Sequence, residues 1–233
     1  MQDDARKITY GAMMIAMFAI LLAVSVYIPI VGGVVLFFIP LPIILYRLRY
    51  DFSSSLLVTV TGVLLSVLVG GIIIIPYALL FGLLGLIIGS TIKTGKSKLY
   101  TFMASGLTIL ISTVLLYAGT VLLLGINIID ELLEELSATS KNMTEFMSKN
   151  GDVSESIIKQ TDELIAFYEV AVPSMFMIAS FVLAFIIVIL NVAVIKRLGH
   201  SGPSFPPFRE MKLPSILVWS YLVVLLIGFL GAS

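Results

Sequence analysis

Residues 52–92 run for 41 positions without one charged side chain. As a single straight α-helix they would measure about 60 Å at 1.5 Å per residue, twice the thickness of a hydrocarbon core. A stretch of that length and polarity has to cross a bilayer, turn and cross back. Gly70-Gly71, near its middle, supplies the turn, and Pro76 sits where a returning helix would begin. Composition agrees with the bilayer. The chain is 59% hydrophobic and 12% charged, whereas soluble domains carry about 25% charged residues.

The other apolar runs follow the same rule. Residues 8–28 follow Arg6 and Lys7 and end at Pro29. No small-residue cleavage site follows them, so they read as a retained span rather than a signal peptide. Residues 34–46 form a short second run ending at Arg47, and 99–126, 171–195 and 213–230 complete the set. The fold class is an all-α polytopic membrane protein of six to seven transmembrane helices. Three regions follow: an N-terminal membrane bundle of five spans (1–126), an acidic helical insert (127–170), and C-terminal spans completing the membrane domain (171–233).

Lys and Arg set the orientation. With a cytoplasmic N-terminus, Arg6, Lys7, Arg47, Arg49, Lys93, Lys96, Lys98, Lys196, Arg197, Arg209 and Lys212 lie inside, which is 11 of the 14 basic residues. The remaining three, with ten of the 14 acidic residues, fall in the insert, which is then external. Within it, Ile128, Ile129, Leu132, Leu133 and Leu136 repeat at helical spacing, as do Val153, Ile157, Ile158, Ile165 and Tyr168 less regularly, and Asn150-Gly151 separates the two amphipathic helices. The second can run on into the sixth span through Pro173.

The segment FFIPLPIILYRLRYD places Pro40 and Pro42 inside an apolar run and ends it on Arg47, Arg49 and Asp51. Prolines at membrane depth shorten or bend a helix, and such breaks survive where the freed carbonyls face protein or a cavity. A plain anchor has no need of them. A compact solute-binding bundle does, with the charged residues fixing the inner turn and available to a partner.

Several function classes find no support. Cysteine is absent and His200 is the one histidine, so neither thiolate chemistry nor a histidine-pair metal site is available. Zero net charge gives no reason to expect a nucleic-acid partner. GSTIKTGKS resembles a phosphate loop but has five residues between Gly89 and Gly95 where four are required, and no strand precedes it. The spans hold no carboxylate, histidine or basic relay, which argues against a proton-driven carrier. The expectation is a protein that is no enzyme and carries no cofactor.

Small and polar residues form the remaining patterns. Ala12, Ala16, Ala19 and Ala23 share one face of the first span and permit close approach of another helix, within the chain or from a partner. Gly82, Gly85 and Gly89 form a similar seam in the fourth, read as internal packing. Hydroxyl stripes (Ser55, Thr59 and Ser66; Thr101, Ser105, Thr108 and Ser112) either bond their own backbone or line a polar cavity. Asn191, the one amide within a span, is expected to bond another helix.

The small-residue first span, the Gly-Gly turn after it, the segment IPLPIILYRLRYDFSSSLLVTVTGVLLSVLVGG, the Pro-led fourth span ending at lysines, and FPPFREMKLP before the last span together resemble the YybS-like membrane proteins of Gram-positive bacteria, a family of unknown function. The N-terminal part of that family is in turn similar to the substrate-binding S components of energy-coupling-factor vitamin transporters. That resemblance implies an S-component-like bundle in a bacterial plasma membrane, docked to a transmembrane coupling subunit that carries ATPases. Docking would fall to Ala12, Ala16, Ala19 and Ala23, with Arg47 and Arg49 at the inner turn. A small, mostly neutral solute would bind near the outer side, where Tyr27, Tyr77, Tyr117, Thr120, Asn127 and Ser174 collect. Arg49-Tyr50-Asp51 stands where S components tend to have Gly-Pro, and those proteins lack so long an acidic insert. YybS-like proteins run longer, so the chain is read as a shortened form. The rival class is a non-transporting scaffold or regulator whose external helices bind a cell-envelope protein.

Overall fold

A computed structural model describes residues 2–125, 131, 134–135, 137–139, 142 and 155–199. Among these residues every regular element is helical, and six segments are long and apolar enough to cross a membrane. The chain is an all-α polytopic membrane bundle.

Helix α1 (Gln2–Tyr27) buries Met14, Phe18 and Leu22, four residues apart on one stripe, and turns Ile8, Met13 and Ile20 outward. A tight reversal follows. A Cβ on Gly32 would stand 2.5 Å from the Ser25 carbonyl oxygen, so glycine is required there. The second span is broken as its prolines demand. It consists of α2 (Val31–Val35), a 3-10 turn at Leu36–Phe38, and α3 (Leu41–Arg49). Pro40 has no N–H to offer the Leu36 carbonyl, which accepts instead from Ile39 N–H at 3.3 Å. Pro42 falls in the first turn of α3, where a missing donor costs nothing.

The third span is α4 (Phe52–Leu65) continued by α5 (Val67–Gly70). The reversal lies at Gly71, which takes φ +69°, and α6 (Ile75–Lys93) opens with Pro76 in its first turn. Both agree with the sequence reading. Helix α6 is the central helix, packed against α3, α4 and α7 (Lys98–Gly119). Its glycine seam is internal: a Cβ on Gly82 would meet Thr59 at 2.8 Å, one on Gly85 would meet Ile43 at 2.8 Å, and one on Gly89 would meet Arg47 at 2.8 Å.

Helix α7 runs on as a π-helical turn, Thr120–Leu124. The last described helix, α8 (Glu155–Arg197), is unbroken for 43 residues, so the external helix does continue through Pro173 into the sixth span. It packs on α7 and on the 3-10 turn of the second span. Asn127, most of the remaining insert, Asn150-Gly151, His200 and the apolar run 213–230 lie outside the described residues.

Candidate functional site

The inner turn is built around Asp51. Its carboxylate caps α4 by accepting from Ser54 N–H at 3.0 Å, and it accepts from Lys7 Nζ at 2.8 Å, tying α1 to the turn. The Lys7 hydrogen bond, with further help from the Ser54 backbone and hydroxyl donors, holds the Asp51 carboxyl well below the usual carboxylate range. Two residues earlier the arginines part company. Arg47 is only 9% exposed; its Nε donates to Ser90 Oγ at 2.9 Å and its Nη1 to the Tyr50 carbonyl at 3.0 Å. Lys93 donates to the same carbonyl. Arg49 is exposed, with its guanidinium 5.1 Å from the Tyr10 ring centre, over a cluster of Tyr10, Tyr46 and Tyr50. Of the two arginines expected at a partner surface, Arg47 is committed to the interior and Arg49 is at the surface.

The alanine face is only partly used inside the chain. Ala19 and Ala23 are half-buried, whereas Ala12 and Ala16 are exposed. Ala12 lines an open groove of about 420 Å³ between α1 and α4, with Lys7, Gly11, Ile15, Tyr46 and Leu57. Gly11 lets the two helices close up there, since a Cβ on it would lie 3.1 Å from Val58.

At the opposite, outer end the six residues grouped from the sequence fall into separate places. Tyr27 donates to the Val69 carbonyl, and Tyr77 is hydrogen-bonded to Ser25 Oγ at 2.9 Å, so this pair ties α1 to α5 and α6. Thr120 donates to the Tyr117 carbonyl at 2.8 Å within its own helix. It also lines a cleft of about 430 Å³ between α6 and α7, whose other walls are apolar apart from Ser112. Tyr27, Tyr77, Tyr117 and Ser174 are not among the residues lining that cleft. Tyr117 is half-buried, Ser174 is exposed on α8, and Asn127 is outside the described residues.

The family model described as "Predicted membrane protein (DUF2232)" matches residues 16–233. The chain belongs to this family. It is also 26% identical over 230 residues to "Uncharacterized protein YybS" of Bacillus subtilis (strain 168), an alignment covering 97% of this chain and 74% of that protein. No solved structure matches. The resemblance to YybS-like membrane proteins is thereby borne out.

The hydroxyl stripes of this family member follow the packing alternative. Ser55 donates to the Asp51 carbonyl, Thr59 to Ser55, Ser66 to Val63, Thr101 to Ser97 and Ser105 to Thr101, each within 3.1 Å. All five are buried and satisfied by local backbone. Asn191 does reach another helix, donating to the Phe37 carbonyl at 2.8 Å. Among the described residues no group of three His, Cys, Asp or Glu side chains could hold a metal. The α6–α7 cleft escaped the sequence reading, although the small residues Gly119 and Thr120 beside a π-helical turn marked its rim.

Proposed function

We propose that this protein is the solute-binding membrane component of a transport system, energised by a separate module that contains a transmembrane coupling subunit and ATPases. The observation that carries the reading is the open groove beside Ala12 and the exposed Ala16. Small side chains on an unfilled face allow a partner helix to approach closely. Arg49 and the Tyr10 cluster flank the same end of α1. The N-terminus is cytoplasmic in this reading, on the distribution of basic residues. The solute is small, neutral and mostly apolar, because the α6–α7 cleft offers hydrocarbon walls with only the Ser112 and Thr120 hydroxyls to orient it. The chain itself binds and hands over; it hydrolyses nothing.

The test is Ala16→Leu in the full chain expressed in its own membrane. A close helix contact tolerates added volume badly, at about 1–3 kcal/mol. The variant should stay folded and lose a co-purifying membrane subunit with its ATPases. A wild-type protein that brings down no such subunit defeats the reading.

One observation favours the rival class. Helix α8 has 43 residues, of which 174–197 suffice to cross the membrane. Its first part therefore adds about 30 Å of helix beyond the bilayer. A scaffold would use that part to hold a cell-envelope protein. Capture of such a protein, lost on deletion of 155–170 and insensitive to Ala16→Leu, decides for it.

A further inference from the structure

Helices α7 and α8 are antiparallel neighbours, and the end where α7 begins and α8 stops is strongly basic. Lys98 opens α7, and Lys196-Arg197 closes α8. The Lys196 ammonium is near enough to Lys98 for the two to repel. Lys96 lies 5.5 Å from the Tyr100 ring centre on the same rim. Among the described residues the acidic groups at this end are Asp4 and Asp51, and both act on Lys7, at the α1 side. The positive end of the α7 dipole adds to the field at Lys98. Two adjacent cations on a helix rim are costly to hold together unless an anion lies between them.

Deeper along the same two helices runs an apolar groove of about 410 Å³, lined by Phe102, Met177, Ile178, Phe181, Val182 and Phe185. Its walls are fixed. Phe102 meets Phe181 and Phe185 edge-on at 5.8 Å, and a Cβ on Gly106 would lie 2.4 Å from the Phe181 ring. Phe102 stands one helical turn from Lys98. Every outward face of a membrane bundle meets lipid. This face alone on the page joins a rigid, chain-width apolar furrow to paired cations at headgroup depth.

We propose that the α7–α8 groove binds an anionic phospholipid, its phosphate between Lys98 and Lys196 and one acyl chain along Phe102, Phe181 and Phe185. Basic sites between transmembrane helices at the cytoplasmic side favour such headgroups. The choice of a lipid over a free anion rests on the groove, which gives an acyl chain its place. The proposal does not depend on the transport reading.

The chain has no cysteine, so a single fluorophore can be placed at Val182→Cys, on the groove wall. The full chain is reconstituted in phosphatidylcholine vesicles, and brominated phosphatidylglycerol or brominated phosphatidylcholine is added as quencher. Brominated phosphatidylglycerol should quench at a mole fraction about 30-fold lower, the preference expected from two lysines at the membrane surface. Lys98→Gln with Lys196→Gln should abolish that preference while leaving quenching by brominated phosphatidylcholine unchanged, which also shows that the variant is folded. Equal quenching by the two lipids, or a preference that survives the double substitution, overturns the proposal. So does quenching by neither, which means that a protein segment fills the groove. Inorganic phosphate that erases the preference at matched concentration reassigns the cations to a free anion.

Discussion

Replacing Gly85 by alanine tests the packing of the central helix. The added Cβ would stand 2.8 Å from Ile43 Cβ and 2.8 Å from the Pro40 carbonyl oxygen. Carbon contacts are comfortable at about 3.5–4.0 Å, so α3 and α6 must part by close to 1 Å. One of the two obstacles is backbone held by the proline break, and it cannot swing aside as the tip of a long side chain would. Overpacking of this kind costs about 1–3 kcal/mol. Alanine returns up to about 1 kcal/mol through its better helix propensity. The net result should be a loss of about 1–2 kcal/mol. Gly119→Ala is the internal control. Nothing lies within 4 Å of a Cβ there, so only the propensity gain of about 0.5–1 kcal/mol remains. Reversible unfolding in mixed micelles, followed by circular dichroism, should separate the two variants by about 2 kcal/mol in opposite directions from wild type. A Gly85→Ala protein as stable as Gly119→Ala would mean that α6 does not pack on α3 as described.

Three other outcomes follow from the same contacts. Asn191→Leu should lower stability by about 1–2 kcal/mol in the same assay, since it strips the Phe37 carbonyl of its donor while keeping the volume; unchanged stability would show that the carbonyl finds another partner. The Asp51 pKa is lower in the folded chain than in the unfolded one, so its stabilising contribution is complete above about pH 4 and is lost as pH falls through the folded value. Asp51→Asn should flatten the acid limb of a stability–pH profile, and an identical limb in both proteins would refute the assignment. Cysteines placed singly at Lys96 and Ser140 should differ toward an impermeant thiol reagent on whole cells, with Ser140 labelled and Lys96 protected; the reverse pattern would invert the orientation.

The fold was legible because a bilayer leaves few solutions. A charge-free run twice the membrane thickness has to reverse, and Gly71 with its positive φ is where it does. Pro40 has to break its helix, and it does. The candidate solute site was less legible for a geometric reason. Hydropathy fixes the depth of a residue along the membrane normal but says little about its bearing around the bundle. Tyr27, Tyr77, Tyr117 and Thr120 were correctly placed at the outer ends of spans, yet Tyr27 and Tyr77 serve the α1 side while Thr120 faces the α6–α7 cleft. Arg47 and Arg49 show the same limit. Two positions apart on a helix means about 200° of rotation, so one turned to Ser90 on α6 and the other to the surface. Helical bearing would have separated them; their shared charge grouped them.

Asn191 and the prolines of the second span, read apart in the sequence, belong to one device. No water is present at membrane depth to satisfy a carbonyl that a broken helix exposes. Asn191 Nδ2 donates to Phe37 across 154 positions of sequence and, within its own helix, to Ile187, both at 2.8 Å. Two carbonyl acceptors on that side fix the amide orientation, because the flipped amide would set oxygen against oxygen. Its Oδ1 is then left buried and, among the described residues, without a donor. A buried acceptor without a partner is expensive. The amide is kept because its loss would orphan a backbone group in the one place where the second span cannot repair itself. The break thus depends on the sixth span, which packs directly on the 3-10 turn preceding Pro40, and the second span can hold its shape only after α8 has docked.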